Sequence, residues 1–242
     1  MRYGIFSDIH SNLEAFEAVI KAYQKEKIDK YLCLGDVVGY GANPNECVDL
    51  LRALPAVAVA GNHDWASVDS LSLENFNDNA KEAVIWTKRQ LAESNKDFLR
   101  GLELVYSQDN CVLVHASLNE PQFFNYLLTV NDCRMTFELL KSQACFIGHT
   151  HIPIVFVQNE QGDSHYEDTD KIRLEPGNKY VINVGSVGQP RDSIAAAAFC
   201  VWDTEKFEVE IKRAPYDVFM ARQKIVDNGL PSFLGDRLLT GN

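Results

Sequence analysis

The sequence has no CxxC pair and none of the ligand spacings of a zinc ribbon, although it holds six cysteines. Scattered as Cys33, Cys47, Cys111, Cys133, Cys145 and Cys200, they exclude a thiolate metal knot. Four of them (33, 111, 145 and 200) fall in apolar runs, where a thiol acts as a small buried hydrophobe. No apolar run approaches ~18 residues, which excludes a helical membrane span. Positive charge is in deficit: 23 Lys and Arg stand against 34 Asp and Glu, for a net charge of −11. A general field of that sign repels long nucleic acids. An anionic substrate would need local positive charge, and bound metal ions are the strongest such source. There is no internal repeat, low-complexity tract or linker. Met1 leads directly into "RYGIFSD", an expected core strand, so no secretory leader is expected and the cytoplasm is the default location.

The length of 242 residues is ample for a sizeable core. With 46% apolar and 24% charged residues, the chain reads as globular rather than disordered. "YGIF" (3–6) precedes "SNLEAFEAVIKAY", in which Leu13, Phe16, Ile20 and Tyr23 share one side and Ser11 with Glu14 match a capping box. "KYLCLGD" (30–36) is the next strand. "NPNECVDLLRAL" (43–54) is a helix with Pro44 in its first turn, and "AVAVAGNHD" (56–64) is a third strand. That order implies a largely parallel α/β beginning. Helical spacing covers 74–103, followed by strand "NCVLVHA" (110–116), helix "NDCRMTFELLKS" (131–142) and strand "ACFIGH" (144–149). Beyond these, "IVFVQ", "KIRLE", "KYVINVGS", "AAFCVWD" and "KFEVEIKRA" are strands with short links, suited to a more antiparallel sheet. "PYDVFMARQKIVDNG" (215–229) closes as a helix. A single domain over 1–242 with two sheets accounts for this pattern. A helical segment near 65–103 either caps a site or packs on the core.

The chemistry-bearing residues collect where strands end. Asp8 and His10 follow the first strand and Asp36 the second. Asn62, His63 and Asp64 follow the third, His115 the next, and His149 and His151 stand in "CFIGHTHIP" (145–153). Of the six histidines, only His165 falls elsewhere, in the polar loop "QGDSHYEDTD", and it receives no role. Strand ends are the ligand-binding edge of an open α/β sheet. Residues at i and i+2 of a strand face one way, so Asp8 with His10 can bind the same ion, and His149 and His151 are expected to be presented together to a metal. Carboxylate oxygen and imidazole without thiolate suit Mn, Fe, Zn, Ni or Co rather than a structural zinc site. Seven candidate ligands, Asp8, His10, Asp36, Asn62, His115, His149 and His151, are too many for one ion and fit two. A carboxylate is the natural bridge between close cations.

In chain order, "DIH" (8–10), "GD" (35–36), "GNHD" (61–64), His115 and "GHTH" (148–151) resemble the motif set of the calcineurin-like metallophosphoesterases: D-x-H, G-D, G-N-H-[DE], an isolated His and G-H-x-H. The resemblance covers nearly the whole chain. "GDVVGYGANP" and "NVGSVGQPRD" (183–192) are similar to one bacterial and archaeal branch of small phosphodiesterases, related to diadenosine-tetraphosphatase-like enzymes. The resemblance implies a four-layer α-β-β-α sandwich of two mixed sheets. It also implies that Asp8, His10 and His151 hold one divalent ion, that Asn62, His115 and His149 hold a second, and that Asp36 bridges them, with Mn the first expectation. His63 would be a catalytic non-ligand that stabilises or protonates the leaving oxygen. A hydroxide shared by the cations would attack phosphorus in line.

Plainer readings stand beside these. Taken singly, Asp8 or Asp36 would be a turn or cap, His115 a satisfied core histidine, and Asp64 or Asn12 a helix-start residue. Arg191 is either a surface charge or a bidentate phosphate clamp; with Asn62 and His63 it completes the substrate-binding candidates. Tyr40, Asn43, Phe123 and Phe124 sit on loops able to wall a cleft, where they either pack or receive a flat group. "GDVVGYG" lacks the Asp and Arg of the G-D-x-x-D-R-G pattern typical of serine/threonine phosphatases. That places a protein phosphatase behind a phosphodiesterase and leaves His63 without a named partner. A non-catalytic scaffold on the same fold, like the retromer relative, loses ligands, whereas every ligand position here is filled. A small phosphorylated substrate is expected, with no long nucleic acid and no membrane; a homo-oligomer stays open.

Overall fold

A computed structural model of the chain describes residues 1–108 and 110–242. In chain order its elements are β1 (Arg2–Phe6), α1 (Leu13–Tyr23), β2 (Lys30–Cys33), α2 (Pro44–Ala53), β3 (Ala56–Ala58), α3 (Asn62–Ser67), α4 (Asp78–Gln90), α5 (Glu93–Arg100), β4 (Val105–Gln108), β5 (Cys111–Val114), α6 (Arg134–Leu139) and β6 (Ala144–Ile147). They continue with β7 (Ile154–Gln158), β8 (Ser164–Glu167), β9 (Lys171–Arg173), β10 (Lys179–Asn183), β11 (Ala197–Asp203), β12 (Glu208–Ala214), α7 (Val218–Asp227) and α8 (Ser232–Asp236).

Two six-stranded sheets form, in the orders β3-β2-β1-β11-β12-β9 and β4-β5-β6-β10-β7-β8. Each mixes a parallel trio with antiparallel neighbours. β1, β2 and β3 run parallel, with β11 antiparallel to β1. β5, β6 and β10 run parallel, with β7 antiparallel to β10. Strand alternation then builds the layers. Tyr3 and Ile5 meet Leu113, Phe146 and Ile182 in the core between the sheets. Phe6 faces the other way, onto Phe16, Val19 and Tyr23 of α1. Val112, Val114 and Cys145 pack on Phe137 of α6. The result is the expected α-β-β-α sandwich, and all six cysteines are buried and free.

Several boundaries differ from the sequence reading. Asn12, not Ser11, caps α1: its side chain accepts from the Ala15 N–H, while Ser11 lies in a left-handed conformation (φ +53°). β3 stops at Ala58, so Asn62 and His63 open a helix rather than end a strand. The helical stretch 74–103 breaks into α4 and α5 at Leu91 and Ala92, both extended. The helix read at 131–142 keeps only Arg134–Leu139. β4 and β8 went unread as strands. Both are outer strands of the second sheet; "VYSQ" and "SHYE" are short and polar, the composition edge strands use against unwanted pairing.

Candidate metal centre and active site

The parallel trios point their carboxyl ends at one place. The loops after β1 and β2 and the start of α3 deliver Asp8, His10, Asp36, Asn62 and His63 from the first sheet. The loops after β5 and β6 deliver His115, His149 and His151 from the second. The residues do not reach the site by strand alternation, as expected above. Asp8 (φ +56°), His10 (+47°), Asp36 (+51°), His149 (+67°) and His151 (+64°) lie beyond their strands, each in the left-handed region. Five non-glycine residues in that region on one cluster is backbone strain held by surrounding contacts, a pattern that gathers at functional sites.

Those contacts aim the donor atoms. Asp8 Oδ2 accepts the His149 N–H at 3.0 Å, and Asp36 Oδ1 accepts the His63 N–H at 2.8 Å. Each carboxylate therefore has one oxygen anchored and one free. Imidazole Nδ1 of His10 faces Val38 O (3.2 Å), that of His115 faces Leu34 O (2.7 Å) and that of His151 faces Gln189 O (2.6 Å). Donation to these carbonyls fixes the tautomer and turns each Nε2 lone pair inward, the usual support for a metal-binding histidine. Gly148 makes the approach possible, since a Cβ there would overlap Ser7 Oγ and Asp8 Oδ2.

Inside the cluster, His10 Nε2 and His151 Nε2 lie 3.0 Å apart, and His115 Nε2 lies 3.2 Å from His149 Nδ1. Asp8 Oδ1 is 3.3 Å from His151 Nε2, and Asp36 Oδ2 is 3.3 Å from His115 Nε2. Three groups, Asp8–His10–His151, His10–Asp36–His63 and Asp36–His115–His149, each bring their donor atoms within 4.8 Å of one another. Among the described residues, Asp8 Oδ1, Asp36 Oδ2 and Asn62 Oδ1 are buried with no hydrogen-bond partner. Buried polar atoms are nearly always satisfied, so three orphaned oxygens among inward-facing imidazoles fit divalent cations.

The electrostatics of Asp8, Asp36, His149 and His151 agree with that donor set, while those of His115 favour its protonated form in the absence of a cation. Burial opposes ionisation of Asp8 and Asp36, yet the surrounding imidazoles hold both carboxyls well below the usual range. Burial, with neighbouring His115 and Arg191 respectively, pushes His149 and His151 down to about 3, so both offer lone pairs. Burial likewise drives His63 well below its usual value. His115 moves up to about 9: burial opposes its charge, but Asp36 and Asp8 favour it.

Among the described residues no carboxylate hydrogen-bonds the His63 ring. Its Nδ1 is buried without a hydrogen bond. Its ring is wedged by Tyr40 (centroids 4.4 Å apart), His10 (4.9 Å) and Phe76 (5.1 Å, edge-on). Asp64 does not reach it; that carboxylate accepts the Gly61 and Val38 N–H groups, tying the loop after β2 to α3. Arg191 does approach the cluster. Its guanidinium lies over the Tyr40 ring at 5.9 Å and donates to Gln189 Oε1 at 2.9 Å. His165 pairs with Glu167 on β8, away from the site.

Sequence reasoning missed several supports. Asn183, at the end of β10, donates to Gly148 O (2.6 Å) and Thr150 Oγ1 (2.9 Å), bracing the segment that carries His149 and His151. Ser186 Oγ donates to Asp8 O at 2.9 Å. Arg237, in the last turn of chain, donates to the same Gln189 oxygen as Arg191, at 3.1 Å. The first two stand in "NVGS", where their place after a strand was the available signal; nothing in the sequence marks Arg237.

A cavity of about 490 Å³ opens beside Asn62, His63 and His149, walled by Tyr40, by residues 71–77 and by 122–126. The helical segment thus contributes a wall through the stretch ahead of α4, while Ala80 and Ala83 of α4 itself pack with Tyr40 and α7. Asn43 lies outside this cavity, at the start of α2. A larger hollow, about 810 Å³, lies between α3 and α4 among Asp69, Lys88, Arg89 and Lys96 and includes none of the cluster residues.

Residues 1–206 match the calcineurin-like phosphoesterase superfamily domain. The chain belongs to that superfamily, whose metal dependence agrees with the clustered His and Asp groups. An uncharacterized protein of Methanocaldococcus jannaschii is 43% identical over 98% of this chain and 97% of its own length. A metallophosphoesterase from Sphaerobacter thermophilus is 34% identical, with a TM-score of 0.87 over 100% of this chain and 99% of that one. A hypothetical protein of Pyrococcus horikoshii shares the fold at 18% identity, with a TM-score of 0.80 over 100% and 98% of the two chains. Among the described residues no helix is long and apolar enough to cross a membrane.

Proposed function

We propose that this protein hydrolyses phosphodiester bonds of a small substrate or nucleotide, using two divalent ions. Asp8, His10 and His151 would hold one and Asn62, His115 and His149 the other, with Asp36 between them. The observation that carries the reading is the convergence of three orphaned buried oxygens with inward-facing imidazole nitrogens. Divalent ions bound there would polarise the phosphoryl group and make water a nucleophile at neutral pH. Mn is the ion to test first, with Fe, Ni, Zn and Co as alternatives.

The chain's own residues supply the rest. The His63 ring, wedged between Tyr40 and Phe76, would donate to the leaving oxygen. Asn62 and Arg191 would position the phosphoryl oxygens, Arg191 as a planar, charge-assisted donor. Residues 71–77 would act as a partial cap over the cleft.

A phosphomonoesterase reading has one observation in its favour. Arg191 and Arg237 put two guanidinium groups near the cluster although the phosphatase-type Arg motif is absent. Purified protein with added Mn, assayed on bis(nitrophenyl) phosphate and nitrophenyl phosphate, decides between them. Faster turnover of the diester is expected; a clear preference for the monoester or for phosphoserine peptides overturns the diesterase reading.

A further inference from the structure

The cavity beside the cluster carries its own chemical signature. Although about 490 Å³ and open to the Asp and His cluster at one end, it has no Asp, Glu, Lys or Arg in its walls. That volume is in the range of small-molecule sites. A substrate whose phosphate lay at the cluster would extend into a space made of ring faces and side-chain amides.

Two aromatic residues of the wall stay largely exposed. Phe123 is 62% exposed and Tyr126 52% exposed. They sit on a loop whose backbone is strained on both sides of the short turn Pro121–Phe123: Glu120 (φ +50°) and Phe124 (φ +51°) are both left-handed. A bulky residue rarely adopts that conformation. Here it turns Phe124 inward, edge-on to His115 and Trp65, and leaves Phe123 facing out. Tyr126 lies flat on the His149 ring, with centroids 4.0 Å apart and planes 24° from parallel. Phe76 stands on the opposite wall, against His63. The amides of Asn75, Gln122 and Asn125 line the same space and make no side-chain hydrogen bond among the described residues.

Exposed rings on a tightly turned loop, with unused amides between them, suit a flat, neutral group with donors and acceptors on its edge. An alkyl chain would leave the amides unpaired, and a bare sugar would leave the ring faces without a partner. Nucleobases use both features: they stack on aromatic side chains and pair their edges with amides. We infer that the cavity is a nucleobase subsite and that the substrate is a nucleoside phosphoester, its base held by Phe123, Tyr126 and the neighbouring amides. The inference rests on the phosphoester reading of the cluster for where the phosphate lies.

Calorimetric titration of the Mn-loaded protein tests it with inorganic phosphate, ribose 5-phosphate, and adenosine and uridine with their 5′-monophosphates. At least one nucleotide is expected to bind ten times or more tighter than ribose 5-phosphate, which differs only by the base. Phe123→Ala, at an exposed side chain, should bring that ratio close to one, since a stacked ring is worth roughly tenfold or more. Gln122→Ala should change the purine-to-pyrimidine preference. Equal affinity for ribose 5-phosphate and both nucleotides overturns the base subsite and leaves the phosphoester reading standing. Nucleoside binding without phosphate binding does the reverse, and no binding by any ligand overturns both.

Discussion

Arg191 and Arg237 share one acceptor, Gln189 Oε1, at 2.9 and 3.1 Å, and Arg237 Nε also donates to Asn242 O at 2.6 Å. Neither has a carboxylate side chain within ion-pair distance among the described residues, and Arg191 Nε is buried with no partner. Burial, with the charge of Arg191 beside it, pushes Arg237 down to about 10. Two guanidinium groups on one neutral oxygen repel each other, and an anion between them would relieve that repulsion. Gln189 also accepts from His151 through its backbone carbonyl, so the pair is fastened to a candidate ligand.

Arg191→Ala is therefore expected to raise KM for a phosphoester about tenfold or more, the worth of a charge-assisted hydrogen bond, with metal content unchanged. Arg191→Lys should rescue little, because an ammonium cannot reproduce the planar fork. A KM within twofold of the parent for both variants would return Arg191 to the role of a surface charge.

Asp36→Asn separates fold from metal binding. The amide keeps an oxygen to accept the His63 N–H, so the loop should hold its shape. It loses the charged oxygen that lies 3.3 Å from His115 Nε2 and 3.6 Å from His10 Nε2. Elemental analysis is expected to find fewer than two Mn per chain, with activity falling in parallel. Full occupancy in the variant would remove Asp36 from between the ions.

His63 is expected to behave differently. It belongs to one of the three donor groups, so its distance from the cluster does not by itself make it a non-ligand. His63→Gln should retain both ions and lose about 10²–10⁴ in kcat, the range of a general acid. The loss should shrink for a nitrophenol leaving group, which departs without help. Metal loss in step with the rate would make His63 a ligand.

How far this site could be read from sequence depends on which forces place each residue. The strand–helix alternation and the motif order were legible because burial periodicity and strand ends are local. "GHTH" singled out His149 and His151, which do join the cluster, but by a different geometry from the one expected: both reach it through left-handed backbone beyond β6, not by facing one side of a strand. The bracing by Asn183 and the Arg191–Arg237 pair were not legible. They join residues 33 to 48 positions apart by folds of the chain that no local pattern records. The wedge around His63 is similar. Tyr40 and Phe76 come from opposite sides of it in sequence, and although Tyr40 stands in "GDVVGYGANP", nothing local there records that it packs on His63.

That wedge yields the last prediction. Gly39 has φ +98°, and a Cβ placed on it would lie 2.5 Å from His63 Nδ1. Gly39→Ala therefore forces the imidazole to move and adds backbone strain of about 1–3 kcal/mol. Tyr40, next in the chain, is itself left-handed (φ +58°) and packs against the same ring, so the turn has little room to relax. Gly39 contributes no donor to the cluster, and metal content should remain at the parent level. The expected result is a loss of kcat that resembles His63→Gln in kind and is smaller in size. In the double variant the two losses should not add, because both act through one imidazole. Fully additive losses, or a Gly39→Ala protein with parental kcat and a lowered Tm, would mean that the position of His63 does not limit turnover.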